Sequence, residues 1–479
     1  MPSRVLDVAH VGSDIVRLTE TAAGTGQYLA LSHCWGGKVP IQTTSENYTA
    51  MMKGIDFTNL PRTFQDAVSV TRDLGQRYLW IDALCIIQDD TKDWEQESGN
   101  MAAIYQNAHM VIGADMSVSS HGGYLDSEGT YSENGKPIAI IDNDDASNVT
   151  TVYARKHGGH GSQCLMLPTW SYHDTPLWRR AWTLQEQFLA TRMAHFDSKE
   201  IIWQCDTTVL CECMELDNST RELSGRSRFI DSLASLSSDK YKAWYSIVDA
   251  IVRRDITKPG DILPALSGLA RRIQDSGGGR YLAGLWLDDL PQGLLWFVQR
   301  NSYASRVDSF RAPSWSWASV QANQDVYEHG GELDSDTRLD PTWLTVKGAV
   351  SKPKGADPLG AVAGGYLKVY APVLAAAIGP WCETLIPLGQ SAKLRSSLAV
   401  YFDLAFDFSE NDVLYCLFVG QLTHGGSGIP TQGLALKRLT GSSDGSYDGR
   451  FERVSMFGDV KGAFSNYKQL VRWSTVTII

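Results

Sequence analysis

The sequence predicts an α/β protein: a parallel sheet with helices on both faces, elaborated by insertions, plus a β-rich C-terminal region. Three observations predict it. Over roughly the first 115 residues, short apolar runs of strand length alternate with segments of helical period. A stretch rich in Gly, Ser, Asp and Asn interrupts that alternation from about 115 to 165. From about 340 onward, β-rich runs separated by Gly/Ser/Asp turns take over.

The elements follow in order. Val5-Leu6, Ile15-Val16 and Leu18 make a hairpin-like lead-in. After the turn signal Ala23-Gly24-Thr25-Gly26, Tyr28-Leu-Ala-Leu-Ser32 is a buried strand that ends at His33-Cys34-Trp35-Gly36-Gly37. Leu60-Pro61 opens a helix, with Pro in the first turn, where its missing N–H costs nothing. Phe64, Ala67, Val68, Thr71 and Leu74 keep helical spacing, and Gly75 is the stop. Tyr78 to Asp82 is a second strand. Asp89-Asp90-Thr91 supplies N-cap chemistry for a helix that carries Trp94, Met101, Ile104, Tyr105 and Ala108 on one face. Val111 to Ala114 is a third strand. Further on, Ile201 to Gln204 reads as a strand, and Tyr241 to Val252 and Asp261 to Ile273 as helices, the latter capped by Asp261 with Pro264 in its first turn. The last β-rich runs are Leu344–Val350, Tyr366–Ala371, Leu398–Phe402, Val413–Val419 and Gly433–Leu439. The expected organisation is a core over 1–225, a helical and Trp-rich extension over 226–335, and a β-rich unit over 336–479.

Composition bounds the function. The chain has 479 residues, 43 Lys+Arg against 54 Asp+Glu, and a formal net charge of −11. That balance argues against sequence-independent nucleic-acid binding, which needs a cationic face, although a local basic patch survives it. No stretch reaches about 20 apolar residues, so no membrane span is expected. The N-terminus lacks the apolar run of a signal peptide. Without one, the eight cysteines read as reduced thiols, and a cytoplasmic protein is the expectation. Trp is unusual at 15 residues, several of them in short clusters.

Three separated blocks resemble those of fungal heterokaryon-incompatibility (HET) domain proteins. They are Tyr28-Leu-Ala-Leu-Ser-His-Cys-Trp-Gly36, then Leu79-Trp-Ile-Asp-Ala-Leu-Cys-Ile-Ile-Gln-Asp89, and Arg180-Ala-Trp-Thr-Leu-Gln-Glu186. Downstream, Tyr281-Leu-Ala-Gly-Leu-Trp286 and Ala312-Pro-Ser-Trp-Ser-Trp-Ala-Ser319 also resemble what such proteins carry. Many members have Ile-Asn-Gln where this chain has Ile86-Ile87-Gln88, which removes one polar side chain. The resemblance implies a role in programmed cell death after fusion of unlike cells. It further implies a distant likeness to TIR domains, hence a TIR/flavodoxin-like sheet, and some TIR domains cleave NAD. NAD would then be a substrate, and no resident cofactor is implied.

In a doubly wound sheet the ligand lies beyond the carboxyl ends of the strands. Ser32-His33-Cys34 and Asp82 to Cys85 stand at predicted strand ends, so they should converge there, and Trp35, Cys85 and Gln88 are ligand-binding candidates beside them. TIR-type NADases place a Glu a few residues past a Trp, and Glu97 follows Trp94 by three. Glu97 is therefore the first candidate for stabilising an oxocarbenium-like ribose, with Asp82 second. The plainer reading of Glu97 is a brace paired with an Arg. His33 and Cys34 together allow thiol chemistry, set against the ordinary burial of free Cys. Arg180 is a candidate for a phosphate or carboxylate, and Trp182 for ring stacking beside Gln185 and Glu186; an Arg–Glu bridge with core tryptophan is the plainer account. His157, His160, Cys164, Cys205, Cys211 and Cys213 fit no standard zinc spacing, so no metal site is assigned.

Three functions compete at this level. One is a cell-death effector that cleaves or binds NAD or a related nucleotide through Glu97 and Asp82. The second is a non-catalytic module acting by homo-oligomerisation. The third is a recruited biosynthetic enzyme carrying out cyclisation, dehydration or acyl transfer with His33, Cys34 and Asp82. The implied partners are a small-molecule or nucleotide ligand and a second copy of the chain, with no nucleic acid and no membrane.

Overall fold

The computed structural model describes residues 1–21, 24–37, 41–125, 135–141, 149–155, 175–197, 200–212, 225–234, 239–298, 304–307, 309–322, 327–329, 338–340, 343–379, 384–388, 398–402, 409, 412–423, 431–439, 449–459 and 469–479. It divides into two units, Met1–Ala234 and Ser235–Ile479. The metal-ligand candidates His157, His160, Cys164 and Cys213 lie outside the described residues.

The first unit begins with strands β1 (Arg4–Asp7) and β2 (Ile15–Glu20), paired antiparallel as the lead-in suggests. Strand β3 (Leu29–Ser32), helix α1 (Tyr48–Lys53), the short β4 (Ile55–Asp56), helix α2 (Arg62–Asp73) and strand β5 (Tyr78–Trp80) follow. A helical turn, α3 (Asp82–Cys85), leads to α4 (Thr91–Asn107) and β6 (Met110–Gly113). Within the expected insertion, β7 (Gly135–Ile141) and β8 (Val149–Arg155) form a hairpin. The unit closes with α5 (Ala181–Leu189), β9 (Arg192–Phe196), β10 (Ile201–Cys205), β11 (Val209–Cys211) and α6 (Gly225–Ala234).

Local chemistry explains several boundaries. Asp90 caps α4 by accepting from the Lys92 and Asp93 backbone N–H groups, while Glu97, Met101, Ile104 and Tyr105 form the buried face. Pro61 is the N-cap of α2 rather than a first-turn residue, one position earlier than its sequence suggests. The Gly75 N–H then bonds the Arg72 carbonyl at a positive φ of 68°, as a C-terminal stop requires.

The sheet runs β11-β10-β9-β6-β3-β5-β1-β2-β4. β3 is parallel to β5 and β6, and β6 is parallel to β9. The remaining pairings are antiparallel, which corrects the expectation of a parallel sheet: it is a mixed one. The reason lies in the connections. Parallel neighbours need a long crossover, which the helical segments provide, whereas β1–β2 and β9–β10–β11 are joined by short links that permit only antiparallel return. All four residues of β3 and of β6 are buried, as befits parallel strands covered on both faces. Taken in chain order, the parallel strands lie as 2-1-3-4, so the direction of winding reverses between β3 and β6. The core beneath includes Phe64, Trp80, Ile104 and Tyr105, with the Trp80 and Tyr105 rings edge to face at 5.6 Å.

In the second unit, α7 (Asp239–Val252) is followed by α8 (Ser267–Ile273), which is shorter than the predicted helix: Pro259–Asp261 and Pro264–Leu266 form separate single turns ahead of it. Strands β12 (Tyr281–Leu282) and β13 (Leu285–Trp286) make a hairpin around Ala283 and Gly284, both at positive φ. Short ladders pair β14 (Trp296–Val298) with β17 (Tyr327–His329) and β15 (Ala304–Arg306) with β16 (Val320–Ala322). The β-rich region comprises β18 (Arg338–Asp340), β19 (Thr345–Pro353), β20 (Val362–Ile378), β21 (Thr384–Pro387), β22 (Leu398–Phe402), β23 (Val413–Thr423), β24 (Thr431–Arg438), β25 (Arg450–Asp459) and β26 (Arg472–Ile478). These form one sheet, antiparallel except for β25–β26. No helix among the described residues is long and apolar enough to cross a membrane.

Gly36, in the segment that leaves β3, shows how tightly that segment is held. Its φ is +70°, and a Cβ there would stand 2.0 Å from the Ser119 Cβ and 2.6 Å from its Cα. Both the backbone and the space require glycine. Gly36→Ala is expected to destabilise the first unit by about 1–3 kcal/mol in urea unfolding.

Candidate functional site

Successive residues leaving β3 turn to opposite sides of the sheet. Ser32, buried, donates its hydroxyl to Glu186 Oε2 on α5 at 2.5 Å. His33, also buried, packs its ring edge-on to Phe64 of α2 at 5.0 Å. Cys34 lies in an apolar cluster with Leu177 and Trp178, in the turn preceding α5. Trp35 donates its indole N–H to Asp82 Oδ2 at 2.8 Å, joining the end of β3 to the end of β5. Asp82 is partly exposed, accepts from the Ala83 N–H through Oδ1, and has that oxygen 3.8 Å from His33 Nδ1. Arg180, the residue before α5, reaches back and donates to the His33 carbonyl at 2.6 Å. Ser32, His33, Cys34, Trp35, Asp82, Arg180 and Glu186 are thus brought together from three regions of the chain.

The other candidates fall around this group. Gln88 donates to the Asp82 carbonyl at 3.0 Å and so braces the α3 turn. Gln185 is buried on α5, and Trp182 packs half-buried against the core. Cys85 is fully buried at the end of α3, where its carbonyl accepts from Arg4 Nε at 2.7 Å. Glu97 lies in a separate polar cluster: it accepts from Ser3 Oγ at 2.5 Å, beside Arg4, whose guanidinium pairs with Asp93 at 2.5 Å. Burial pushes the Glu97 carboxyl above its usual range, against the Ser3 hydrogen bond and the Arg4 charge.

Two residues that sequence reasoning passed over complete the carboxyl edge. Asp115, two residues beyond β6, accepts from the Trp178 indole at 3.0 Å and faces His195 Nδ1 at 3.1 Å. His195, on β9, has Gln204 Oε1 at 3.4 Å from its other ring nitrogen. Burial alone lowers the His195 pKa, but the Asp115 charge and both hydrogen bonds outweigh it and the net shift is upward. A signal for Asp115 was available, because it directly follows the predicted strand Val111–Ala114, as His33 follows the one ending at Ser32.

Protonation separates the roles available to these groups. Burial raises Glu186 to about 7, with Asp82 adding repulsion and Ser32, Arg180 and Tyr105 partly opposing it. A carboxyl poised there can either hold or accept a proton near neutrality. Burial lowers His33 to about 4, so its imidazole is neutral, and one nitrogen, Nε2, has no hydrogen-bond partner among the described residues. Burial also raises the thiols, Cys34 to about 11 and Cys85 to about 12, so both are protonated at neutral pH. No disulfide joins the five described cysteines.

Glu186 makes a pH prediction. Its folded pKa lies above its usual 4.5, so the native state is favoured by the protonated form. Its stabilising effect is complete below about pH 4.5 and is lost as pH rises through about 7. Glu186→Gln keeps an acceptor for Ser32 but cannot ionise. In urea unfolding the wild type should lose stability relative to this variant between those limits, by up to about 3 kcal/mol at pH 8.

Residues 28–186, from just before β3 to most of α5, match the family described as Heterokaryon incompatibility protein (HET). No curated protein and no solved structure matches the chain significantly.

Proposed function

We propose that this HET domain is the effector part of a heterokaryon-incompatibility protein, and that it cleaves the nicotinamide–ribose bond of NAD or a closely related nucleotide. The observation that carries the reading is the convergence of Ser32, Asp82, Arg180 and Glu186 at the carboxyl ends of the parallel strands. The 2-1-3-4 strand order matches the start of flavodoxin-like sheets, in which ligands occupy the crevice where winding reverses. By that analogy the ligand would sit between the ends of β3 and β6, beside Ser32 and Asp115.

The chemistry follows from the charges. As the bond from the ribose C1′ to the nicotinamide nitrogen breaks, its electron pair leaves with neutral nicotinamide and positive charge grows on the sugar. Water then adds to C1′ and releases a proton, giving nicotinamide and ADP-ribose. A carboxylate beside the sugar stabilises the charge, and a second carboxyl of pKa near 7 accepts the proton. Asp82, partly exposed at its strand end, suits the first role; Glu186, raised to about 7, suits the second. Glu97 is the second candidate for the ribose carboxylate, its Ser3 and Arg4 partners accounting for its burial. The protonated Cys34 beside a neutral His33 does not favour thiol chemistry.

Nicotinamide release from NAD by the purified chain tests this. Asp82→Asn should lower kcat by roughly 100-fold, and Glu97→Gln by less than that. Cys34→Ser should retain turnover, and Glu186→Gln should flatten the pH dependence below about 7. Absence of turnover, or turnover unchanged in Asp82→Asn, overturns the reading.

A further inference from the structure

The second unit carries an open sheet face that the proposed reaction does not use. On β20, Tyr366, Lys368 and Tyr370 alternate with the buried Leu367 and Val369, so all three point outward. Tyr366 is 40 % exposed and Tyr370 36 %. Trp473 of β26 is 51 % exposed, and its ring lies 5.4 Å from that of Tyr370 with 34° between the planes. It pairs with Pro372, which places it on the same face as Tyr370.

Cations surround these rings. Lys347 on β19 holds its ammonium 5.6 Å from the centroid of Tyr370. Arg450 on β25 pairs with Thr477, and Thr477 pairs with Lys368, so the guanidinium and the ammonium belong to one outward row across three strands. None of β19, β20 and β26 contains an Asp or Glu, in a chain with 54 of them. Glu452, two residues past Arg450, is paired with Arg306 at 2.6 Å. The floor is flat as well: a Cβ at Gly364 would meet nothing within 4 Å, and one at Gly348 only the Tyr366 ring at 3.7 Å.

We propose that this face of β19, β20, β26 and β25 is a stacking platform for single-stranded nucleic acid. Outward aromatics on an antiparallel sheet, interleaved with cations, are what sequence-tolerant single-strand binding needs: every base offers a π-face, and the phosphates between bases need positive partners. Tyr366 and Tyr370 are four residues apart on one strand, about 13 Å, which leaves room for a nucleotide between the stacked ones. Neutral glycans stack on such rings too but have no use for the cations, so charge complementarity favours the nucleic acid. The chain's net charge of −11 argues against binding only where charge is evenly spread, and on these strands it is not.

Fluorescence anisotropy with labelled dT10 and U10 oligonucleotides tests the assignment on the full chain. Saturable binding that weakens steeply as salt rises is expected. Tyr370→Ala and Lys368→Glu should each weaken it roughly ten-fold, while thermal melting and nicotinamide release stay at the wild-type level. Both side chains are exposed, and Trp473→Ala provides a third variant. Absence of binding at low salt, or affinity unchanged in Tyr370→Ala and Lys368→Glu, overturns the proposal. So does binding of heparin without binding of either oligonucleotide, which would identify a generic polyanion surface. Because the platform and the strand-end site are assigned by different residues, loss of either activity leaves the other measurable.

Discussion

A carboxyl group taken out of water organises the first unit. Burying Glu186 as an anion without compensation would cost several kcal/mol, so the surroundings must supply donors or hold its proton. Ser32 supplies the principal hydrogen bond and thereby fixes α5 against the end of β3. The rest of the edge follows from where α5 starts. Arg180, immediately before it, is placed to bond the His33 carbonyl, and Trp178, in the preceding turn, is placed to bond Asp115. Asp115 in turn orients His195 on β9. One helix seated by one hydroxyl thus brings together residues far apart in the chain.

Much of this was legible in the sequence, and the failures have identifiable causes. Strand-length apolar runs located β3, β5 and β6, and the residues just beyond the first two of them do meet. Glu97 lies on the buried face of α4. Its partner Ser3, 94 positions away, leaves no local trace, so periodicity alone could not separate a brace from a pocket wall. Asp115 opens a Gly- and Ser-rich stretch and reads as loop. β9 begins with an exposed Arg192 and has only five residues, too few for a clear alternation. Helix–strand alternation reports the parallel core, but the antiparallel flanks depend on which edges the hairpins find, and that is a tertiary choice.

The tryptophans show a similar division. Trp80 in the first unit and Trp244, Trp286, Trp296, Trp315 and Trp317 in the second are fully buried, so their clustering in sequence reflects packing. Trp35, only partly buried, is tied instead to a carboxylate at a strand end. Trp473, in the second unit, lies open on the sheet. Composition flagged the residue type, and only burial distinguished its uses.

The hairpin between β12 and β13 depends on residues far from it in the chain. Its turn places Ala283 at a φ of 45°, a left-handed conformation that costs about 1 kcal/mol or more for a residue with a Cβ. Trp244 and Trp317 both donate their indole N–H groups to the Gly284 carbonyl, at 2.8 and 2.9 Å, and the Ser316 hydroxyl donates to the carbonyl of Ala283. Those partners lie 40 and 33 positions away in the chain, so the strained turn gains its support only after two sizeable loops have closed. The turn is therefore held by tertiary contacts rather than by its own short ladder, and those contacts tie helix α7 and the Pro313–Trp317 segment to one pair of carbonyls.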